Sequence, residues 1–181
     1  YRIRRLPAEV IIDGIRQATA NTDGNRSYLE EVEKRDIRRH PRSLSPRAIG
    51  YALSIFGKPT RSTNCDCERK TAPTLLQSLF TRNDREMLEQ IERPDGWLAE
   101  IASQLGEELI SEITGDVVVK ASTESPPKRP EKLTDEQLVN TVYYRTLGRS
   151  PNEAEMKRSS EHLQAATSTT EGLRELLWAL L

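Results

Sequence analysis

The chain is poor in the residues that most often mark a reactive site. Its 181 residues include two cysteines, two histidines and two methionines, and aromatic side chains make up 5%. Cys65 and Cys67 supply only two sulfurs, and His40 and His162 are the only imidazoles, so little is available to close a tetrahedral zinc site. The Cys-x-x-Cys-His haem attachment pattern is missing, as are G-x-S-x-G, H-E-x-x-H, the P-loop and G-x-G-x-x-G. Neither sign of charge is in excess. With 27 basic and 28 acidic residues the net charge is −1, which gives no global field to gather nucleic acid or an anionic membrane. No apolar run approaches the length of a bilayer span. The apolar fraction is 35% and the charged fraction 30%, a balance that predicts thin helix layers with solvated outer faces and some unstructured segments. The chain starts at Tyr1 and stops at Leu181 inside an apolar stripe, as expected of a piece of a longer protein.

What is present is helical periodicity. Pro7 suits a first helical position, with Val10, Ile11, Ile15 and Ala18 on one face behind it. From Asn21 to Ser45 the pattern weakens; Glu30 to Arg39 reads as a polar helix that His40-Pro41 would end. Ser45-Pro46 opens the next helix, with Ile49, Leu53 and Phe56 as its stripe and Gly57 then Pro59 as its stop. Leu75, Leu76, Leu79 and Phe80 repeat at helical spacing, and Asn83 with Glu86 reads as a capping box for a short helix carrying Met87, Leu88 and Ile91. After Pro94-Asp95-Gly96, an amphipathic helix follows with Trp97, Leu98, Ile101, Ala102 and Leu105, prolonged by Leu109, Ile110 and Ile113.

Residues 115–132 change character, with a short valine run and then a stretch rich in Ser, Pro and Lys, and read as a linker or insertion. Three helices follow. Thr134 with Gln137 caps the first, which carries Leu138, Val139, Val142 and Tyr143 and stops at Gly148. Ser150-Pro151 with Glu153 starts the second, and Leu173, Leu176, Leu177 and Leu180 give the third a wide apolar face. No strand pair is evident. The expected architecture is all-α: an irregular bundle of about eight helices, with residues 1–114 as an N-terminal part, 115–132 as a linker and 133–181 as a three-helix subdomain.

The candidate site is the charged loop around Cys65 and Cys67, with Arg61, Asp66, Glu68 and Arg69 close by. Thiols beside so many ionisable groups are commoner in functional loops than in cores. Three readings stand. The two sulfurs form a small, strained and easily reduced disulfide; they act as a pair of metal ligands without the usual Cys-x-x-Cys spacing; or they pack against the flanking helices while the charges are solvated. The carboxylates serve acid–base chemistry only where burial separates their pKa values, and otherwise anchor the loop by salt bridges. No catalytic set and no metal set is assigned. A second candidate is the basic segment Arg35, Arg38, Arg39 and Arg42, which reads as a solvated polar stretch or a patch that pairs with another domain, or as a site for an acidic polysaccharide; stacking aromatics are nearly absent there, which speaks against nucleic acid. Trp97 and Trp178 sit within apolar stripes and read as core.

Several short motifs together suggest a family. They are Arg5-Leu6-Pro7-Ala8-Glu9-Val10, Phe56-Gly57-Lys58-Pro59-Thr60-Arg61, Cys65-Asp66-Cys67-Glu68-Arg69 with Pro73-Thr74-Leu75, and then Asn83 and Pro94-Asp95-Gly96. Tyr144-Arg145-Thr146-Leu147-Gly148-Arg149 and the tail Leu176-Leu177-Trp178-Ala179-Leu180-Leu181 complete the set. The chain resembles the planctomycete domain of unknown function fifteen-fifty-three. That resemblance implies a C-terminal domain of a large periplasmic or cell-surface protein, often with a cytochrome-c-type haem module elsewhere in the polypeptide. It implies no cofactor in this segment and no agreed catalytic residues. The function expected is an interaction and scaffolding module held against upstream domains of the same polypeptide. A redox or metal-dependent role for the cysteine loop, and acidic-polysaccharide binding, are the alternatives.

Overall fold

Helix ends in this chain are set by local capping chemistry, and the computed structural model shows where each cap acts. It describes residues 6–21, 46–58, 72–83, 85–120 and 133–181. Among these lie eight helices: α1 Ala8–Thr19, α2 Pro46–Ile55, α3 Leu75–Asn83, α4 Arg85–Ile91, α5 Trp97–Leu105, α6 Asp135–Leu147, α7 Glu153–Ala165 and α8 Thr169–Leu180. The one sheet among the described residues has two short antiparallel strands, β1 Leu109–Ile110 and β2 Val117–Val119. The all-α expectation holds, with the sheet as a small addition.

The strongest sequence signals act as read. Thr134 accepts from the Gln137 backbone N–H while Gln137 reaches back to the Thr134 N–H, a complete capping box on α6. Gly148 ends α6 at φ 66°, a left-handed conformation that favours glycine. Gly57 does the same after α2 at φ 87°, where the Lys58 N–H closes back on the Leu53 carbonyl at 2.9 Å.

Other expectations shift. Pro7 caps α1 instead of opening it, and Val10 is exposed. Asn83 is the last residue of α3 and α4 begins at Arg85; the capping box read at Asn83 rests on a side chain outside those described. The cap of α7 is Asn152 with Glu155, two residues beyond the pair read from sequence. Leu109 and Ile110 do not prolong α5. Gly106 takes φ 71° and stops the helix, and the chain turns into a hairpin that pairs Leu109 with Val119 and Ile110 with Val117. A strand pair therefore exists where none was expected, and its second strand uses the valines placed in the linker.

Helices α6, α7 and α8 pack on one another as a three-helix unit, α5 and α4 lie against α8, and α1 lies against α2, α4 and α6. Two apolar clusters result. The larger includes Trp97, Leu98, Val139, Val142, Leu173 and Leu177, so residues on both sides of 121–132 share one core. The smaller includes Ile15, Leu53, Phe56, Phe80 and Met87, with the Phe56 and Phe80 rings edge to face at 5.6 Å. Leu181 packs against both clusters.

Candidate interaction surfaces

Both sequence-predicted sites fall outside the described residues: Cys65, Cys67, Arg61, Asp66, Glu68 and Arg69, and likewise Arg35, Arg38, Arg39 and Arg42. What the described residues offer is surface. The start of α3 explains one apolar part of it. Thr74 and Gln77 exchange hydrogen bonds in a further capping box, with the Gln77 side-chain carbonyl accepting from the Thr74 N–H at 2.9 Å. The Gln77 amide then donates to the Ile55 carbonyl at 2.8 Å, satisfying an orphan acceptor at the end of α2. This turns Gln77 and Phe80 inward. Leu75, Leu76 and Leu79 therefore face out, with 76%, 51% and 47% of their surface exposed, and Tyr51 stands beside them against Phe80. Three leucines read from their helical spacing thus form an open face. The Thr-x-x-Gln spacing is the same signal that marked α6, and it was legible at Thr74 as well.

A second surface is a groove of about 840 Å³ between the end of α5 and the starts of α6 and α8. Leu105, Leu133 and Leu138 line it together with Glu107, Asp135 and Glu136. These carboxylates answer to helix ends. Asp135 and Glu136 lie in the first turn of α6, and Glu107 accepts from both the N–H and the hydroxyl of Thr170 at 2.8 Å, capping α8 from a distance.

The ionic groups with shifted proton affinity also serve structure. Arg149 holds Glu155 in a two-pronged pair at 2.7 and 2.8 Å, and that hydrogen bonding, with the cap bond to Asn152, lowers the Glu155 pKa to about 2. The pair joins the end of α6 to the start of α7. Arg93 likewise lowers the pKa of Asp95 in the turn before α5. Arg145 stacks over Trp97 at 5.0 Å and donates to the Ala20 and Ala18 carbonyls at 2.7 and 3.3 Å. Burial lowers its pKa, and the Glu100 carboxylate works against that shift. Buried Arg174 meets buried Glu92 at 3.5 Å and Glu112 at 2.6 Å. Among the described residues no group of three His, Cys, Asp or Glu side chains is placed to hold a metal ion, and no helix is long and apolar enough to cross a membrane.

These features define a helical module whose described polar groups seal its own joints and whose apolar residues are partly left outside. The chain belongs to PSD1, a protein family of unknown function (DUF1553), whose family model matches residues 1–163. The tail Leu176 to Leu181 lies beyond that match. No curated protein matches the chain, and no solved structure does.

Proposed function

We propose that the chain is an interaction and scaffolding module of a larger extracytoplasmic protein, held against an upstream domain of the same polypeptide through α3. The observation that carries this reading is the outward face of Leu75, Leu76 and Leu79. Capping at Thr74 and Gln77 fixes that face outward by hydrogen bonds, so it is a built surface and not a packing accident. Covering such leucines is worth about 1–2 kcal/mol each. The resemblance drawn from the sequence supports the setting, a periplasmic or cell-surface protein with its haem module elsewhere in the polypeptide.

The test is to replace Leu75 and Leu79 by Asp. Both side chains are exposed, so helix content and urea midpoint are expected to stay unchanged. When this chain and the upstream polypeptide are produced as separate pieces, the substituted chain should no longer retain its partner. Association that survives both substitutions overturns the reading.

A further inference from the structure

We infer that the β1–β2 hairpin is a latched strap, which opens as one unit from the helical body and is held shut by the Glu92–Arg174 pair. The hairpin is complete in itself. Its two strands pair, the Ser111 N–H donates to the Asp116 carbonyl and the Gly115 N–H to the Ser111 carbonyl, both at 2.9 Å. The Ser111 hydroxyl also accepts from the Ile113 N–H at 3.2 Å. None of these bonds depends on a helix, but two paired strands this short are marginal alone, so release exposes their amides together.

Its attachment is narrow by contrast. Leu109 is its one buried apolar side chain, Val118 and Val119 are half-buried against the core, and Ile110 and Val117 point outward. The remaining grip is polar and converges on two residues. Glu92, at the end of α4, accepts from the Ser111 hydroxyl at 2.7 Å and from the Glu112 N–H at 3.0 Å. Arg174, on α8, donates to the Ile110 carbonyl at 3.2 Å and to the Glu112 carboxylate at 2.6 Å. Each therefore touches the hairpin twice, and they also face each other. Glu171 at 3.3 Å is the third carboxylate around the one guanidinium.

This arrangement favours two states over a gradual loosening. While the strap is shut, both charges are dry and depend on its donors and acceptors. Once it lifts, water reaches both, so opening leaves no buried group unpaired. A small, self-bonded element with few apolar contacts is the kind that opens below the global unfolding free energy.

Amide hydrogen exchange on the whole chain tests this. In the unsubstituted protein the Ser111, Gly115 and Val117–Val119 amides should exchange as a group, well before those of α6 and α8. Glu112→Gln weakens the latch alone, and Ser111→Ala weakens it together with the turn bond from Ile113; both leave Glu92 and Arg174 in place. Each should speed hairpin exchange about tenfold or more, because hydrogen bonds to charged groups are the strong ones. Exchange in α6 and α8 should not move. Hairpin amides that exchange only together with those helices, or that ignore both substitutions, overturn the inference.

Discussion

Two glycines in helix interiors show how far neighbours decide the worth of one residue. Gly14, in α1, has nothing within 4 Å of where a Cβ would sit. Gly172, in α8, would place that carbon 2.9 Å from Leu163 Cδ2 and 3.1 Å from Ala166 Cβ, with the Leu163 Cα at 3.3 Å. The glycine lets α8 press against α7, and a methyl there must push the helices apart. Gly14→Ala is expected to stabilise the protein by about 0.5–1 kcal/mol, since it only removes backbone freedom from the unfolded chain. Gly172→Ala is expected to destabilise it by about 1–3 kcal/mol through overpacking. Urea midpoints of the two variants should move in opposite directions. Sequence alone does not separate the two positions, because both read as a helical glycine and only the neighbouring helix differs. Arg174 has the same history. It falls between the apolar positions of α8 and is buried because Glu92 and the Ile110 carbonyl meet it there, partners that no local pattern announces.

At the scale of the element, signals that work within one helix were legible and signals that need a partner were not. Thr134, Gln137 and Gly148 bound α6 because a cap is satisfied inside a few residues. The stripe Leu75, Leu76 and Leu79 has the right period, but a period names a face without saying what covers it. The hairpin was missed because Leu109, Ile110 and Ile113 fit a helical spacing. Gly106 at positive φ ends that helix first. The joint between α6 and α7 carries its own pH signature. Glu155 has its pKa held near 2 in the folded state by Arg149 and by the Asn152 cap, below the value of a free carboxyl. A lowered carboxylate pKa adds stability that is fully present above the unfolded pKa and fades as pH falls toward the folded one. The contribution should therefore be intact at neutral pH and decline from about pH 4.5 down to about pH 2. In Glu155→Gln this acid-side loss should be smaller than in the unsubstituted protein, a comparison made by thermal melts across that range. Equal acid sensitivity in both would remove Glu155 from the account.

Across the whole molecule, the question is what makes two apolar clusters behave as one. Helix α4 runs between them, giving Met87 to the smaller cluster and Ile91 to the larger. Trp178 adds a bond from its indole N–H to the Thr81 carbonyl at 3.1 Å. The most concentrated link is Arg145. From α6 it ties down the carbonyls at the end of α1 and sits over the Trp97 ring, while Ala20 bridges to Gly96 beside it. A Cβ on Gly96 would come 3.0 Å from the Arg93 carbonyl oxygen and 3.2 Å from that of Thr19, so a larger residue would crowd this close approach. These positions fall in the Pro94-Asp95-Gly96 and Tyr144 to Arg149 segments on which the family resemblance rests, and here those segments serve the joint between clusters. Arg145→Met should remove two charge-assisted bonds and the stacking of the cation on the ring, about 2–4 kcal/mol together. The loss falls on the smaller cluster, because the larger keeps its three-helix packing. Tryptophan fluorescence, reporting on both links through Trp97 and Trp178, should then change at lower urea than far-ultraviolet ellipticity, while in the unsubstituted protein the two curves coincide. Arg145→Lys keeps a charged nitrogen for the carbonyls but loses the planar guanidinium over Trp97, so it should fall between the two. Coincident curves in Arg145→Met would mean that α4, Trp178 and Leu181 couple the clusters without Arg145.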